Sequence, residues 1–256
     1  MDIVVLMKFV PDLVEDLEID EDSGLLDRGF LRLIPNELDE HALEEAILLK
    51  EQHGGTVTVF TLDTGDVDET LFTAVAKGAD RVVKITGDGF DEGVSNHRLA
   101  ALFKAALGDT KYDLILTGTQ AVDDLDGFVG ALLAEEMGLP YVGYVTKVAA
   151  SSDKTIAQKE YPGGLNAEVE IGGPVVLGIQ AAEKPLRYVV TSKVMEAMKS
   201  ATIDELEAPE VETEGEITVA SMAIPESGAH AEMIEGDVTK VAAAVVSLLR
   251  ERGLVA

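Results

Sequence analysis

The sequence predicts an α/β fold with a Rossmann-like parallel sheet flanked by helices, a β-rich extension, and a C-terminal arm ending in a helix. Two observations carry this prediction. Several apolar runs of strand length are almost uninterrupted, which is typical of strands buried on both faces of a sheet. These runs alternate with helical patterns across short polar loops, an order that gives parallel strands joined by right-handed crossovers.

The alternating elements occupy the first 140 residues. The apolar run at 2–7 predicts the first strand, and a polar turn at 18–24 and a weak edge segment at 31–34 follow it. Asn36 is a good N-cap for the first helix, and Gly54 and Gly138 are typical helix stops. The further predicted elements are a helix at 36–52, a strand at 56–62, a helix at 68–77, a strand at 81–85, a helix at 95–107, a strand at 114–116 and a helix at 131–137.

The pattern changes from about residue 144. Short strand-like runs separated by turns predict an antiparallel extension, with strands at 145–150, 155–161, 166–171 and 175–179 and a turn at Gly163-Gly164. A short helix at 192–199, an extended acidic arm at 205–216, a weak last strand at 217–224 and a helix at 237–252 complete the chain. The last helix is amphipathic through Val238, Val241, Ala242, Val245, Leu248 and Leu249.

These patterns divide the chain into two predicted parts. Residues 1–190 form a nucleotide-binding α/β domain that includes the extension at about 144–190. Residues 191–256 form a partner-recognition segment and the C-terminal arm with its helix. Counted from Tyr144, the tail has about 100 residues, and a single nucleotide-binding module of about 150 residues would not need it.

Composition excludes several classes of function. The chain has no cysteine, so thiol catalysis and cysteine-ligated metals are excluded. A net charge of -28, from 48 acidic and 20 basic residues, argues against nucleic acid as a partner. No apolar run approaches the roughly 18 residues of a membrane helix, and we expect a cytoplasmic protein without direct membrane insertion. The acidity fits either solubility and salt adaptation or a docking surface for a basic partner.

The segment from 113 to 130 carries the strongest indication of function. A strand, a small-residue turn, three aspartates and a Gly-Phe-Val-Gly bend lead into a helix N-terminus, where free backbone N–H groups and the helix dipole bind phosphate. Gly127 and Gly130 lack a Cβ, which allows a ligand to approach the backbone. For Asp123, Asp124 and Asp126 we favour helix capping and loop hydrogen bonds over a magnesium site. The four histidines lack metal-ligand spacing, and we predict no catalytic residue and no metal.

Several segments in register resemble the β subunit of electron transfer flavoprotein. Gln120-Ala-Val-Asp-Asp124 with Val129-Gly130 is similar to the nucleotide loop of that family. Val5–Asp12 is similar to its opening strand and turn, and Asn36–Ala46 to its first helix start. Thr73–Arg81 is similar to its Thr-Ala-x-Ala-x-Gly-Ala-Asp-Arg segment. Further matches follow at Gly163-Gly164-Leu165, at Pro174-Val-Val, at Arg187-Tyr188 and at Val194–Lys199.

The resemblance implies an electron carrier without catalytic residues of its own. The β subunit of this family pairs with an α subunit that holds most of an FAD, and it contributes a site for AMP or, in electron-bifurcating members, a second FAD. Electrons pass from a dehydrogenase donor to a quinone reductase or another acceptor. By position, the implied cofactor contacts are Leu6, Asn36, Glu37, Leu38, Asp39, Leu62, Gly118, Gln120, Ala121, Val122, Asp123, Asp124, Gly127, Phe128, Val129 and Gly130.

Three departures from the family pattern modify these expectations. Val129 stands where Thr or Gln often helps to hold phosphate, and a Val there is familiar in the branch that includes bifurcating members. Leu13 replaces an aromatic or hydroxyl residue near the flavin ring. Thr191 replaces the apolar anchor of the partner-recognition loop, which indicates a different redox partner. The implied docking residues are Thr191, Val194, Met195 and Met198.

Two other functions compete with this prediction. A homodimeric regulatory or stress-type module that binds adenine nucleotide would have a similar topology, but it would not need the long tail. A nucleotide-dependent synthetase or ATPase is disfavoured because the sequence has no lysine-bearing phosphate loop.

Overall fold

The computed structural model of the chain describes residues 1–256 except Phe30, Ser152, Asp153, Glu214, Glu226, Ser227, Ala229, His230, Glu232 and Ala256. The described residues form two compact units, Met1–Met222 and Ala223–Ala256. The elements are β1 (Asp2–Met7), β2 (Phe9–Pro11), β3 (Leu33–Pro35), α1 (Glu37–His53), β4 (Thr56–Leu62), α2 (Asp68–Lys77), β5 (Arg81–Thr86), α3 (Asn96–Leu107), β6 (Leu114–Gly118), α4 (Val129–Met137), β7 (Tyr141–Ala150), β8 (Lys154–Tyr161), β9 (Leu165–Gly172), β10 (Val175–Ile179), α5 (Thr191–Ser200), β11 (Asp204–Glu207) and α6 (Val238–Glu251).

The first unit is built on one large sheet with the strand order β11-β5-β4-β1-β6-β10-β7-β8-β9. The strands from β11 to β7 are mutually parallel, whereas β7, β8 and β9 pair in antiparallel fashion. From β1 the chain builds β4 and β5 on one side, then crosses to β6 on the other. The predicted α/β fold is therefore confirmed, and the strand order reverses beside β1, where such folds place their ligands.

The apolar residues of β1 explain why helices cover both faces of the sheet. Ile3, Val5 and Met7 belong to the hydrophobic cluster that includes α1 and α2. Val4 and Leu6 point to the opposite face and pack in the cluster formed with α3 and α4. All five side chains are buried, as the near-continuous apolar run predicted for a strand covered on both faces.

The position of residues 175–179 differs from the prediction. The sequence placed this strand in the antiparallel extension, but β10 lies inside the parallel sheet between β6 and β7. All five of its residues are buried. The β8–β9 hairpin runs out to the sheet edge and returns, with Gly163 and Gly164 at positive φ in its turn, so the chain is free to insert β10 at the centre. A fully apolar strand is more stable there than at an edge.

The segment after β10 also corrects two expectations. The arm predicted at 205–216 begins as the edge strand of the sheet, because β11 pairs with β5 and Arg81 Nε donates to Asp204 Oδ2 at 2.6 Å. The strand predicted at 217–224 was wrong, since all of these residues are described and none is in a strand. Ile217 and Ile224 are 57% and 71% exposed. The sheet edge beside β5 is already occupied by β11, and the segment lacks a regular two-residue alternation.

The second unit contains the predicted C-terminal helix. α6 begins after Asp237, whose side chain accepts a hydrogen bond from Lys240 N at 2.9 Å. None of the described residues of α6 is buried: of its apolar stripe, Val238, Val245 and Leu248 are exposed, and Val241 and Leu249 are half-buried. Among the helices that the structure describes, none has the length and apolarity required to cross a bilayer.

The predicted boundary at residue 190 concerns partner recognition and stays a prediction. The compact first unit of the structure continues to Met222 and so includes α5 and β11. Helix α5 packs on α2, and β11 extends the main sheet.

Candidate functional site

The polar site lies beyond the carboxyl ends of β1 and β6, beside the reversal of strand order. Four segments meet there: the residue after β1, the start of α1, the start of α3 and the loop from β6 to α4. This arrangement brings together many of the residues predicted from the sequence, because parallel strands end at one edge of the sheet.

Asp39 fastens α1 to the ends of both central strands. Its carboxylate accepts a hydrogen bond from Lys8 N at 2.8 Å through one oxygen and from Gly118 N through the other. The side chain is buried, and burial raises the pKa of this carboxyl to about 7, against the opposing effect of the two N–H donors and the nearby Lys8 charge. Asp39 thus fixes the start of α1 relative to the ends of β1 and β6.

Asn36 holds the loop that follows β6. It stands at the N-cap position of α1, as predicted, but its side chain makes no capping bond. Instead, Asn36 Nδ2 donates to the backbone oxygen of Gln120 at 3.0 Å. Gly118 makes this contact possible, since a Cβ there would lie 2.8 Å from Asn36 Nδ2 and 2.7 Å from Leu38 Cβ.

Lys8 is the centre of the ion-pair network that orders the loop. Its ammonium lies 2.7 Å from Asp123 Oδ1 and 3.0 Å from Asp124 Oδ1, and it donates to Asn96 Oδ1 at 2.8 Å. Asn96 Nδ2 in turn donates to Asp124 Oδ1 and to Gly127 O, both at 2.7 Å. The network joins the end of β1, the start of α3 and the β6–α4 loop.

Asp124 and Asp126 act as hydrogen-bond acceptors in the loop, as predicted, whereas Asp123 contributes its ion pair with Lys8. Asp124 Oδ2 accepts from Ala121 N at 2.7 Å, and Asp126 Oδ1 accepts from Asn96 N at 3.2 Å, at the start of α3. Lys8 and Asn96 were missed by the sequence reasoning. Lys8 lies in the first family-like motif, directly after β1, so its position was available in the sequence; Asn96 was marked only by the predicted helix start.

The two loop glycines differ from the expectation that they admit a ligand. A Cβ on Gly130 would lie 2.6 Å from Thr117 Oγ1 and 3.0 Å from the Tyr141 ring, so Gly130 allows α4 to pack closely on β6 and β7. Gly127 has a φ of 117°, which other residues rarely adopt, and its missing side chain would face Leu132. Helix α4 begins at Val129, two residues before the predicted start.

Two cavities adjoin this network. The inner one, of about 20 Å³, has room for roughly one water molecule. It is lined by Leu6, Lys8, Asn36, Asp39, Phe103, Thr117, Gly118, Gln120, Ala121, Asp124 and Val129. The outer one, of about 570 Å³, is lined by Lys8, Leu62, Asn96, Asp123 and Asp126 among others. Of the predicted contacts, Glu37, Leu38, Val122, Gly127, Phe128 and Gly130 line neither cavity.

The outer cavity fits a nucleotide and the inner one does not. Ligand sites commonly measure about 300–1,000 Å³ and combine apolar walls with a few polar groups. Here the Lys8 network supplies polar groups, while Phe9, Leu62 and Phe90 supply apolar surface. Asp126 Oδ2 is buried without a hydrogen-bond partner among the described residues, and a carboxylate oxygen there can accept a bond from a sugar hydroxyl.

The predicted docking residues lie on α5. Met195 and Met198 are 53% and 47% exposed, Thr191 is exposed, and Val194 is half-buried. Ala197 is the buried residue of the helix, which packs against α2. Met198 is thus accessible on the single chain and is not a core residue.

His41 holds the backbone that follows β10, because its Nδ1 accepts a hydrogen bond from Ala182 N at 3.2 Å. Within the described part of the chain, no group of three or more histidine or acidic side chains is arranged to hold a metal ion.

The reversal of strand order and the polar pocket beside it define a Rossmann-like α/β protein. Sequence comparison then identifies the family. The model of the electron transfer flavoprotein domain matches residues 30–211. The chain is 35% identical over 262 residues to the electron transfer flavoprotein subunit beta of Clostridium acetobutylicum, covering 98% of each chain.

Two other relatives carry the same description. The electron transfer flavoprotein subunit beta of Methylophilus methylotrophus is 32% identical over 263 residues, with 98% of each chain covered. That of Bacillus subtilis is 29% identical over 260 residues, with all of each chain covered. The chain therefore belongs to the electron transfer flavoprotein family, and the resemblance predicted from its motifs is confirmed.

Proposed function

We propose that the chain is the β subunit of a heterodimeric electron transfer flavoprotein. It would pair with an α subunit and carry electrons from a dehydrogenase to a quinone reductase or another acceptor. The observation that carries this proposal is the full-length similarity to β subunits together with a nucleotide-sized cavity beside the Lys8 network. The alternative of a homodimeric regulatory module has no comparable support.

The proposed cofactors are an FAD shared with the α subunit and an adenine nucleotide in the β site. FAD supplies the redox chemistry when it is bound. The residues of this chain bind and orient: Lys8 orders the loop through its two ion pairs, the loop from Gly118 to Gly130 offers backbone N–H groups, and Asp126 offers an acceptor oxygen. Asn36 and Asp39 hold this loop and the strand ends in place.

The β site would hold AMP or a second FAD, and the second case would make the protein electron-bifurcating. A cavity of about 570 Å³ supports a ligand of nucleotide size in either case. Release of the ligands by denaturing the copurified heterodimer, followed by chromatography, would distinguish one FAD with one AMP from two FAD. A heterodimer without any adenine nucleotide in the β subunit would contradict the proposal.

Exposed apolar surface supports the proposed pairing. Met195 and Met198 on α5 offer a docking surface for a redox partner, and the stripe on α6 offers a surface for the α subunit. We also propose the cytoplasm as the location, and a chain without cysteine is compatible with a reducing compartment.

A matched pair of variants tests the loop assignment. Leu125 is 65% exposed on the β6–α4 loop and lines the outer cavity, and Leu165 is 67% exposed on the remote β8–β9 hairpin. Leu125→Glu adds a negative charge beside the proposed anion, and we expect at least about a tenfold loss of nucleotide affinity. Leu165→Glu adds the same charge elsewhere and should bind normally. Equal affinity in both variants, with unchanged melting temperatures, would contradict the loop assignment.

A further inference from the structure

Arg28 occupies an unusual position between two large cavities. The outer cavity of about 570 Å³ adjoins a second one of about 590 Å³, and the two share Phe9, Arg28, Leu33 and Thr64 in their walls. Arg28 is half-buried and follows the small turn in which Ile19 bridges to Leu26. Its guanidinium therefore lies at the junction of the two cavities, where a ligand could extend from one cavity into the other.

The guanidinium of Arg28 has no acceptor in the described part of the chain. It makes neither an ion pair nor a side-chain hydrogen bond there. Neighbouring cations behave differently: Arg32 pairs with Asp12, and Lys84 pairs with three carboxylates. With 48 acidic and 20 basic residues in the chain, an unpaired half-buried arginine is unexpected. A guanidinium has five N–H donors, and leaving them without acceptors on burial costs free energy.

Two features keep Arg28 available to a ligand. A Cβ on Gly93 would lie 2.8 Å from one guanidinium nitrogen, so the glycine, at a φ of 102°, allows the guanidinium to pack on the backbone. None of the carboxylates that line the cavities forms an ion pair with it, neither Asp66, Glu69 and Asp91 in the second cavity nor Glu92, Asp123 and Asp126 in the outer one. The side chain is thus positioned without being neutralised.

Thr64 provides a second polar group at the same junction. Its hydroxyl oxygen is buried and has no hydrogen-bond partner among the described residues. It lines both cavities, as Arg28 does. A planar guanidinium and a hydroxyl that both lack partners match the tetrahedral oxygens of a phosphate group, which accepts several hydrogen bonds at once.

We propose that Arg28 and Thr64 form an oxyanion subsite that binds a phosphate group. The phosphate is either the second phosphate of a nucleotide that extends from the outer cavity or a free phosphate ion. The subsite is separate from the Lys8 network, and it can be tested with inorganic phosphate whether or not the β site holds a nucleotide.

Calorimetric titration of the full chain, freed of bound nucleotide, tests the subsite with inorganic phosphate, AMP and ADP. For the wild type we expect ADP to bind more tightly than AMP. Arg28→Gln should abolish this advantage, a loss of about tenfold for a charge-assisted hydrogen bond. Arg32→Gln is the matched control, because Arg32 lines only the second cavity, is 68% exposed and already pairs with Asp12.

The outcomes separate the two sources of phosphate. One outcome is that ADP and AMP bind equally, and that inorganic phosphate binds the wild type but not Arg28→Gln. In that case the ligand of the subsite is the free ion. Should Arg28→Gln fail to fold, Thr64→Val retains the shape of the side chain, removes the hydroxyl and should weaken the same ligand about threefold. Unchanged affinity for all three ligands in the folded variants would overturn the proposal.

Discussion

Replacing Asp39 by Asn should remove part of the pH dependence of stability. Burial raises the pKa of the Asp39 carboxyl to about 7, whereas the unfolded chain has the ordinary value of 3.8. Between these values the folded state holds a proton that the unfolded state has released. Stability contributed by this group is therefore greatest at low pH and falls as the pH rises towards 7.

The size of the effect follows from the two pKa values. Between pH 5.5 and pH 8 the wild type should lose about 2 kcal/mol of unfolding free energy through Asp39 alone. The Asn variant cannot titrate and loses nothing through this position. The Asn side chain also places an N–H donor opposite either Lys8 N or Gly118 N, and both of these groups donate to the wild-type carboxylate. This loss of one acceptor should lower the unfolding free energy of the variant by a further 1–3 kcal/mol or so at both pH values.

Denaturant unfolding of both proteins at pH 5.5 and pH 8 measures the difference. The deficit of the variant relative to the wild type should be larger at pH 5.5 by about 2 kcal/mol. Glu45 also has a pKa raised by burial, but it titrates in both proteins and cancels in the comparison. Glu37→Gln, an exposed change in the same turn of α1, is the control. A deficit that stays constant between the two pH values would refute the reasoning.

Two further predictions concern packing and docking. Gly130→Ala should cost about 1–3 kcal/mol of stability, because its Cβ would crowd Thr117. In the control Gly172→Ala the added Cβ meets no atom within 4 Å, and this variant should melt close to the wild type. Equal melting temperatures in the two variants would count against the packing role of Gly130. Met198→Ala should weaken docking of the native donor by roughly 1–2 kcal/mol and thereby slow electron transfer. The flavin spectrum and the melting temperature should not change. Stopped-flow transfer rates of this variant and of Met233→Ala, a control at a residue that is 82% exposed, test the assignment. Equal rates in the two variants would show that the partner docks elsewhere.

The motif reasoning found the site but assigned some of its residues a different task. Gly130 was expected to admit a ligand, yet Thr117 and Tyr141 occupy the space beside it. Asn36 was expected to cap α1, and its amide instead holds the loop at Gln120. In each case the residue type was consistent with both roles, and the choice between them depended on which atoms lie beside it in the folded chain.

The arrangement around Lys8 shows why the rest of the site was not predictable. The ammonium contacts Asn96 and Asp124, which are 88 and 116 positions away along the chain. Sequence patterns report periodicity over one or two turns of a helix or a few residues of a strand, so they give no information on such pairs. The same limit applies to Arg28, whose lack of a partner is a property of its surroundings.

The sequence by itself determined the type and approximate bounds of most elements and the family of the protein. Hydrophobic periodicity and glycine stops are local, and burial on both faces of a parallel sheet requires the continuous apolar run seen in β1. The tertiary structure alone decided the position of β10 in the sheet, the loss of a strand at 217–224, and the contacts of Lys8, Asp39 and Arg28. Strand order and ion pairing depend on how distant segments compete for the same neighbours in the folded protein. No local sequence pattern indicates the outcome of that competition.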